Sequence, residues 1–389
     1  LGTNAADALT TGGCNIAMGQ NALGAATTAC LNVAIGYLAL GAGTLACGGT
    51  SQAEYNVAIG GQPLQNLTTG NDNIALGTLA GGFRTTGKCD VLIGYKAGWC
   101  SINGEQNVAI GPHAFSQSKG DGHYNVAIGS YAMGQGDTDG EDNIAIGRVS
   151  MDNVTTGYNN IAIGCNAGGL ITTGFHNIAI GRDTMDALTT ASGNIAIGID
   201  AQHMNACACC NVVIGNYSGY HLGAGTDPQN SVWNLILGNC SGCCICGDAT
   251  GNVVAGSYAG RCITSNNYNT FVGYHAGGAG AIGAENTGIG KDAGANATNN
   301  CTVNIGSGAD KNVTSQGCIN ATMYAPSFND TSDCRYKCDI ADSDLGLDFI
   351  KALKPRKFKY KLPRDVIDSD GNLLHKGDPE GKNRQKETM

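Results

Sequence analysis

A pentapeptide core, Asn-(Ile/Val)-Ala-Ile-Gly, recurs seventeen times between Asn15 and Gly306. Asn32-Val33-Ala34-Ile35-Gly36 and Asn177-Ile178-Ala179-Ile180-Gly181 are typical copies. Successive core glycines lie 16 to 18 residues apart, except for steps of 24 and 23 that place surface insertions near 48–54 and 223–229. Each core reads as a short strand, because side chains alternate faces with period two. One face carries the two aliphatics, and the other carries Asn, Ala and Gly. A unit this small with one strand cannot bury its own apolar face, so the units must stack into a solenoid. At ~4.8 Å per coil the stack would run roughly 80 Å. Stacking also aligns the asparagines, present in fifteen of seventeen copies with Asp90 and Thr302 as exceptions. Carboxamides carry donors and acceptors and so form a ladder between coils. Two aliphatics per coil predict a thin core. Three rolls packed through their Ala and Gly faces would bury more. The middle core residue changes from Ala to Val213, Ile236, Val254 and Phe271, which predicts a change of packing near residue 210.

Composition agrees with a repetitive β structure. Glycine fills 61 of 389 positions, hydrophobic residues make up 42% and charged residues 14%. Proline is too scarce and Gly-X-Y too absent for collagen. The hydrophobic content is too high for disorder, and glycine costs ~1 kcal/mol per helical position relative to alanine. A net charge of −9 argues against nucleic-acid binding. No apolar run is long enough to span a membrane. Residue 1 is Leu, with no signal-like segment behind it, so the chain reads as an internal or processed fragment.

The patterning changes after Ser332. Residues 332–389 hold 13 of the 22 Lys/Arg and 11 of the 31 Asp/Glu, leaving residues 1–331 with a charge of −11. Ser343 is placed to cap a helix running through Leu345, Phe349 and Leu353. Residues 357–361 alternate like a strand. Asp370-Gly371 is a hairpin turn signal between Val366-Ile367 and Leu373-Leu374.

Two resemblances follow. The repeats resemble the heads of trimeric autotransporter adhesins, whose similar units form parallel β-rolls in trimers. The segment Ser332-Asp333-Cys334-Arg335-Tyr336-Lys337-Cys338-Asp339, followed by Gly346-Leu347-Asp348-Phe349-Ile350 and Leu353-Lys354-Pro355, resembles the intramolecular chaperone auto-processing domain of phage endosialidases, tail spikes and fibres. This second resemblance implies a trimerisation chaperone that cuts itself off at Ser332-Asp333. Ser332 would be the nucleophile and Lys337 its base, with Arg335 and Asp339 supporting the motif. It also implies that family members continue beyond residue 389, so the chain holds only the amino-terminal part of that domain.

The remaining motifs have plainer readings. Eighteen cysteines include four immediately before a core (Cys14, Cys89, Cys210 and Cys301) and a cluster of Cys207, Cys209, Cys210, Cys240, Cys243, Cys244 and Cys246. Metal ligation and disulfides are open, and buried free thiols are favoured over both. Asp137-Thr138-Asp139-Gly140-Glu141-Asp142 half-matches a calcium loop but lacks the distal Glu, so it reads as a solvated turn. Thr-Thr-Gly turns are not kept in every coil, against an ice-binding array. Tyr217, Tyr258 and Tyr274 follow core glycines and suit either turn packing or sugar contact.

The whole reads as all-β: a parallel β-roll or β-solenoid shaft over residues 1–310, a connector at 311–331 and the start of a small α+β chaperone domain at 332–389. No metal site and no cofactor is expected. The expected function is a homotrimeric virion fibre for host attachment, extracellular on the particle and assembled in the host cytoplasm. Its expected partners are a cell-surface receptor or glycan and, through a missing amino-terminal part, other virion proteins. A cellular trimeric adhesin and a glycan-degrading tail spike are the alternatives. Self-cleavage is the sole catalysis expected.

Overall fold

In the computed structural model of the chain, the described residues are 2–45, 53–120, 122–204, 208–222, 231–245, 247, 249–261, 263, 267–278, 283–294, 300–309, 317–319, 366–367 and 373–375. The chain divides into two compact units, Leu1–Thr322 and Met323–Met389. Among the described residues there is no helix.

The first unit is a β-solenoid. Strands β1 (Ile16–Met18) to β17 (Val303–Ile305) each come from one repeat, and β18 (Gly317–Ile319) follows them. Each strand pairs in parallel with the next to form one sheet. The register is that of the repeat: Val33, Ala34 and Ile35 face Val57, Ala58 and Ile59, and Ile178, Ala179 and Ile180 face Ile195, Ala196 and Ile197. In the second unit, β19 (Val366–Ile367) pairs antiparallel with β20 (Leu373–His375), the two segments flanking the Asp-Gly turn signal.

The faces of the strand are the reverse of the expectation. The middle residue is buried in β2 through β17, while its aliphatic neighbours are half-buried or exposed. Ala34 and Asn32 are fully buried, whereas Ile16 is 50% and Ile74 40% exposed. The cause is the asparagine. Its carboxamide bonds to backbone inside the coil, so it must point inward, and period two then puts Ala inside and Val/Ile outside. Side chains from the turns fill the interior instead: Leu23, Leu40, Leu64, Leu67, Phe115, Met133, Met151, Met185 and Leu188.

The core glycine is required twice over. At Gly36 φ is +128°, a conformation that L side chains avoid. A Cβ there would also lie 1.8 Å from the carbonyl oxygen of Gly60, the core glycine of the next coil.

The change of middle residue near 210 is compensated within each coil. Six residues after a middle Ala there is usually a large side chain, as in Ala34/Leu40, Ala127/Met133, Ala145/Met151 and Ala179/Met185. Six residues after a bulky middle residue there is Gly, as in Leu92/Gly98, Val213/Gly219, Ile236/Gly242, Val254/Gly260 and Phe271/Gly277. A Cβ on Gly98 would sit 2.6 Å from Leu92 Cδ2, and one on Gly277 2.6 Å from Phe271 Cγ. The backbone is left-handed in either case, with φ of 50° at Leu40, 52° at Met185, 59° at Gly98 and 54° at Gly260. The glycine therefore answers to space: in most coils one large side chain fills the interior from either position, and where both are small, as at Ala75/Gly81 and Ala162/Gly168, Leu64 and Leu92 of neighbouring coils or Ile171 reach the space at the glycine.

This packing makes a testable prediction. Ala34→Leu alone overpacks the coil against Leu40 and costs about 1–3 kcal/mol. Adding Leu40→Gly reproduces the Leu92/Gly98 arrangement and recovers at least half of that loss in urea unfolding. Additive losses would show that the two positions do not share one space.

Candidate functional site

Ser332, Asp333, Arg335, Lys337 and Asp339 lie outside the described residues, as do the Ser343 helix and the 357–361 strand. The repeat residues Asn32, Gly36, Asn177 and Gly181 are in place. Asn177 shows the pattern. Its N–H and its Nδ2 both donate to Asn160 Oδ1, at 3.0 and 3.1 Å. Nδ2 also donates to the Ala191 carbonyl at 2.8 Å, and Oδ1 accepts the N–H of Asn194 at 3.1 Å. The same backbone-to-side-chain bond joins every successive pair from Asn15 to Thr302.

Asp90 keeps the acceptor half of this pattern: Asn107 N–H donates to its Oδ1 at 2.8 Å. It lacks the amide donor, and Arg84 supplies one. The Arg84 Nη2 donates both to Asp90 Oδ2 and to the Gly104 carbonyl, the position an asparagine would reach from residue 90. Both side chains are fully buried. Burial pushes the Asp90 carboxyl up to about 6 against the pull of Arg84, and burial likewise lowers Arg84. The exception at Asp90 is visible in the sequence, but its partner is not. The available signal is register: Arg84 lies seven residues after Gly77, where Leu67 lies seven after Gly60.

The outer face of the sheet carries two aliphatic rows along the stack, with Ile16, Met18, Ile59, Ile163, Ile214 and Ile289 among the exposed large side chains. Beside them, the corner residue before each ladder position is often aromatic and exposed, as at Tyr55, Tyr124, Trp233 and Tyr268.

A different surface is formed by the turns after the core glycine. In coils around 83–131, Tyr95 meets His113 edge-on at 5.2 Å and His113 stacks on Tyr131 at 4.7 Å. Nearby, Lys96 Nζ lies 4.1 Å over the Trp99 ring, which packs at 5.1 Å against Phe83. Further along, His203 stacks on Tyr220 at 5.0 Å, and Tyr220 meets His221 edge-on at 4.8 Å. Tyr217, Tyr220, His221, Cys240, Cys243 and Cys244 line a hollow of about 280 Å³. Asp183, Asp186 and Asp200 lie in the two coils before it. Arg182 pairs with Asp183 at 2.6 Å and with Asp200 at 3.8 Å. Burial raises the Asp186 carboxyl, with His203 opposing. Tyr258 and Tyr274 meet each other edge-on at 6.1 Å.

The cysteines correct an expectation. Ten described cysteines are free thiols and none of these is buried; Cys14, Cys89, Cys210 and Cys301 are exposed. Their registers place them at corners and turns, outside the packed interior. Cys30 is disulfide-bonded. The Cys243 and Cys244 sulfurs lie 3.7 Å apart, and burial, with Cys244 adding to it, pushes the Cys243 thiol up to about 11. In the half-matched calcium loop, Asp137 Oδ1 accepts the N–H groups of Lys119 and Gly120. Among the described residues no three His, Cys, Asp or Glu side chains converge as metal ligands.

No protein-family model matches the chain, and no curated protein is significantly similar to it.

The Arg84–Asp90 pair makes a prediction with a pH signature. Asp90→Asn leaves a buried guanidinium without its counter-charge and costs about 3–5 kcal/mol. Arg84→Leu/Asp90→Asn restores the ordinary repeat and is at least as stable as the wild type at pH 7. Because the folded state raises the Asp90 pKa, the wild type loses stability relative to this double variant as pH rises from the ordinary carboxylate range through about 6. Urea unfolding at pH 4 and 7 reads this difference. A gap that narrows with rising pH would contradict the assignment.

Proposed function

We propose that the chain is the shaft of a virion fibre, a homotrimer that serves host attachment, with a self-cleaving folding chaperone beginning at its carboxyl end. The observation that carries this reading is the pair of aliphatic rows on the outer face of the sheet. Contiguous exposed apolar patches beyond a few hundred Å² mark interaction surfaces. A second copy of this chain is the partner whose surface matches these rows coil for coil, since it offers the same rows at the same spacing. The number three rests on the resemblance of the repeats to trimeric β-roll heads.

The chaperone reading rests on the Ser-Asp-x-Arg-x-Lys motif. Ser332 attacks the carbonyl carbon of its own Ser332-Asp333 peptide bond, and Lys337 takes the hydroxyl proton. Lys337 then delivers that proton to the Asp333 amine as the C–N bond breaks, leaving Ser332 as a four-membered β-lactone whose acyl–oxygen bond water opens to restore the hydroxyl and a free carboxylate. A lysine serves as base only with a lowered pKa, which burial or the neighbouring Arg335 charge would provide. A chaperone suits this product physically. In the solenoid every strand pairing is between different coils, and registering three chains adds further long-range contacts, which makes folding slow and prone to misassembly.

Expression of the complete gene tests both parts. The wild type is expected to lose a fragment beginning at Asp333, while Ser332→Ala and Lys337→Ala stay full length on gels. Light scattering is expected to give three times the mass of one processed chain. Ile178→Lys with Ile195→Lys, which charges two neighbouring positions of an outer row, is expected to dissociate the particle. A full-length wild-type product would end the self-cleavage reading, and a monomeric mass would end the trimer.

A further inference from the structure

We propose that the aromatic hollow around Tyr217 and Tyr220 binds a sugar ring of a neutral glycan. The proposal rests on the reading of the shaft as an attachment fibre and names the chemistry it recognises.

The hollow is distinct from the aliphatic rows. It is built on the turns after the core glycine, so a partner covering the outer face of the sheet would be using a different set of residues. Its walls are the rings of Tyr217, Tyr220 and His221, with cysteines of the next coil completing it. Tyr220 is fixed in orientation, stacked on His203 with an interplanar angle of 19° and braced at 80° by His221. His203 is held in turn by the Asp183 carbonyl at 2.9 Å and faces the Asp200 carboxylate at 3.6 Å. Oriented aromatic rings that carry polar edges suit a molecule with one C–H face and a rim of hydroxyls. That is a pyranose: its apolar face packs on the rings, and its hydroxyls meet the Tyr217 and Tyr220 hydroxyls and the His221 ring that line the hollow.

Charge decides between this ligand and the other that stacks on aromatic rings. Single-stranded nucleic acid needs a positively charged groove. Here the cation beside the hollow, Arg261, is engaged by hydrogen bonding to Cys243, and residues 1–331 carry a charge of −11. Polyanions, acidic glycans included, are therefore repelled. Successive sugar rings of a chain laid along the stack would meet successive coils, whose spacing of about 4.8 Å is close to the length of one ring.

The test uses the full chain, fluorescently labelled, on an array of neutral hexose and N-acetylhexosamine di- to tetrasaccharides, with polysialic acid and oligothymidylate as anionic probes. Binding to a neutral oligosaccharide is expected, weakened at least about tenfold by Tyr220→Ala and by Tyr217→Ala. Tyr124→Ala, which removes an exposed aromatic at a different corner, is expected to leave it unchanged. Tyr220→Leu fills the space without a ring and guards against a folding defect, which circular dichroism would reveal. No neutral ligand, binding confined to the anionic probes, or binding that survives both Tyr220 variants would overturn the proposal. Light scattering on the same samples separates the two readings: a monomer that still binds would remove the fibre and leave the sugar site.

Discussion

The structure depends on one bond: the backbone N–H of each core asparagine donating to the side-chain oxygen of the asparagine one coil before. It is made at 3.1 Å or less at every step described from Asn15 to Thr302. An asparagine is suited to this place because it donates and accepts through one short side chain. Its Nδ2 reaches the carbonyl that closes the same coil, as Asn160 does to Gly174. Buried backbone groups at a bend would otherwise go unpaired, at a cost of about 1–3 kcal/mol each. The pairing of Arg84 with Asp90 bears this out. Where the amide is lost, a guanidinium occupies its donor position even though burying it carries a desolvation cost.

The orientation of everything else follows from that inward amide. Two residues on, Ala points inward, and the space beside it is filled by a side chain from the turn six residues later. When the middle residue grows, as at Leu92 or Phe271, the turn residue shrinks to Gly. The aliphatics are left facing outward. In this account a solenoid of small internal volume is specified by polar bonds within the coil, and its aliphatic rows are left on the outer face of the sheet.

Much of the fold is legible in the sequence. The period locates the strands and the in-register parallel pairing. The two long steps, after Gly36 and Gly215, change neither. The facing of the strand is not legible from alternation alone, because alternation has two solutions. Hydrophobicity favours Val33 and Ile35 inside, whereas the hydrogen bonds of Asn32 favour the opposite, and the second prevails. The pair Arg84/Asp90 is legible only to a reader who aligns the turns as well as the cores. The hollow at Tyr217 and Tyr220 is assembled from neighbouring coils, so sequence marks Tyr217 but not the residues it meets. Cysteine shows the same limit: its usual preference for the interior is overridden at Cys14, Cys89 and Cys210, which occupy exposed corners before a core.

The unfolding free energy of Asn177→Ala tests the central claim most directly. Removing this amide leaves the Asn194 N–H and the Ala191 carbonyl without their partners inside the coil. The account predicts a loss of about 3 kcal/mol or more. A change within about 0.5 kcal/mol, the size expected of an ordinary surface substitution, would contradict it.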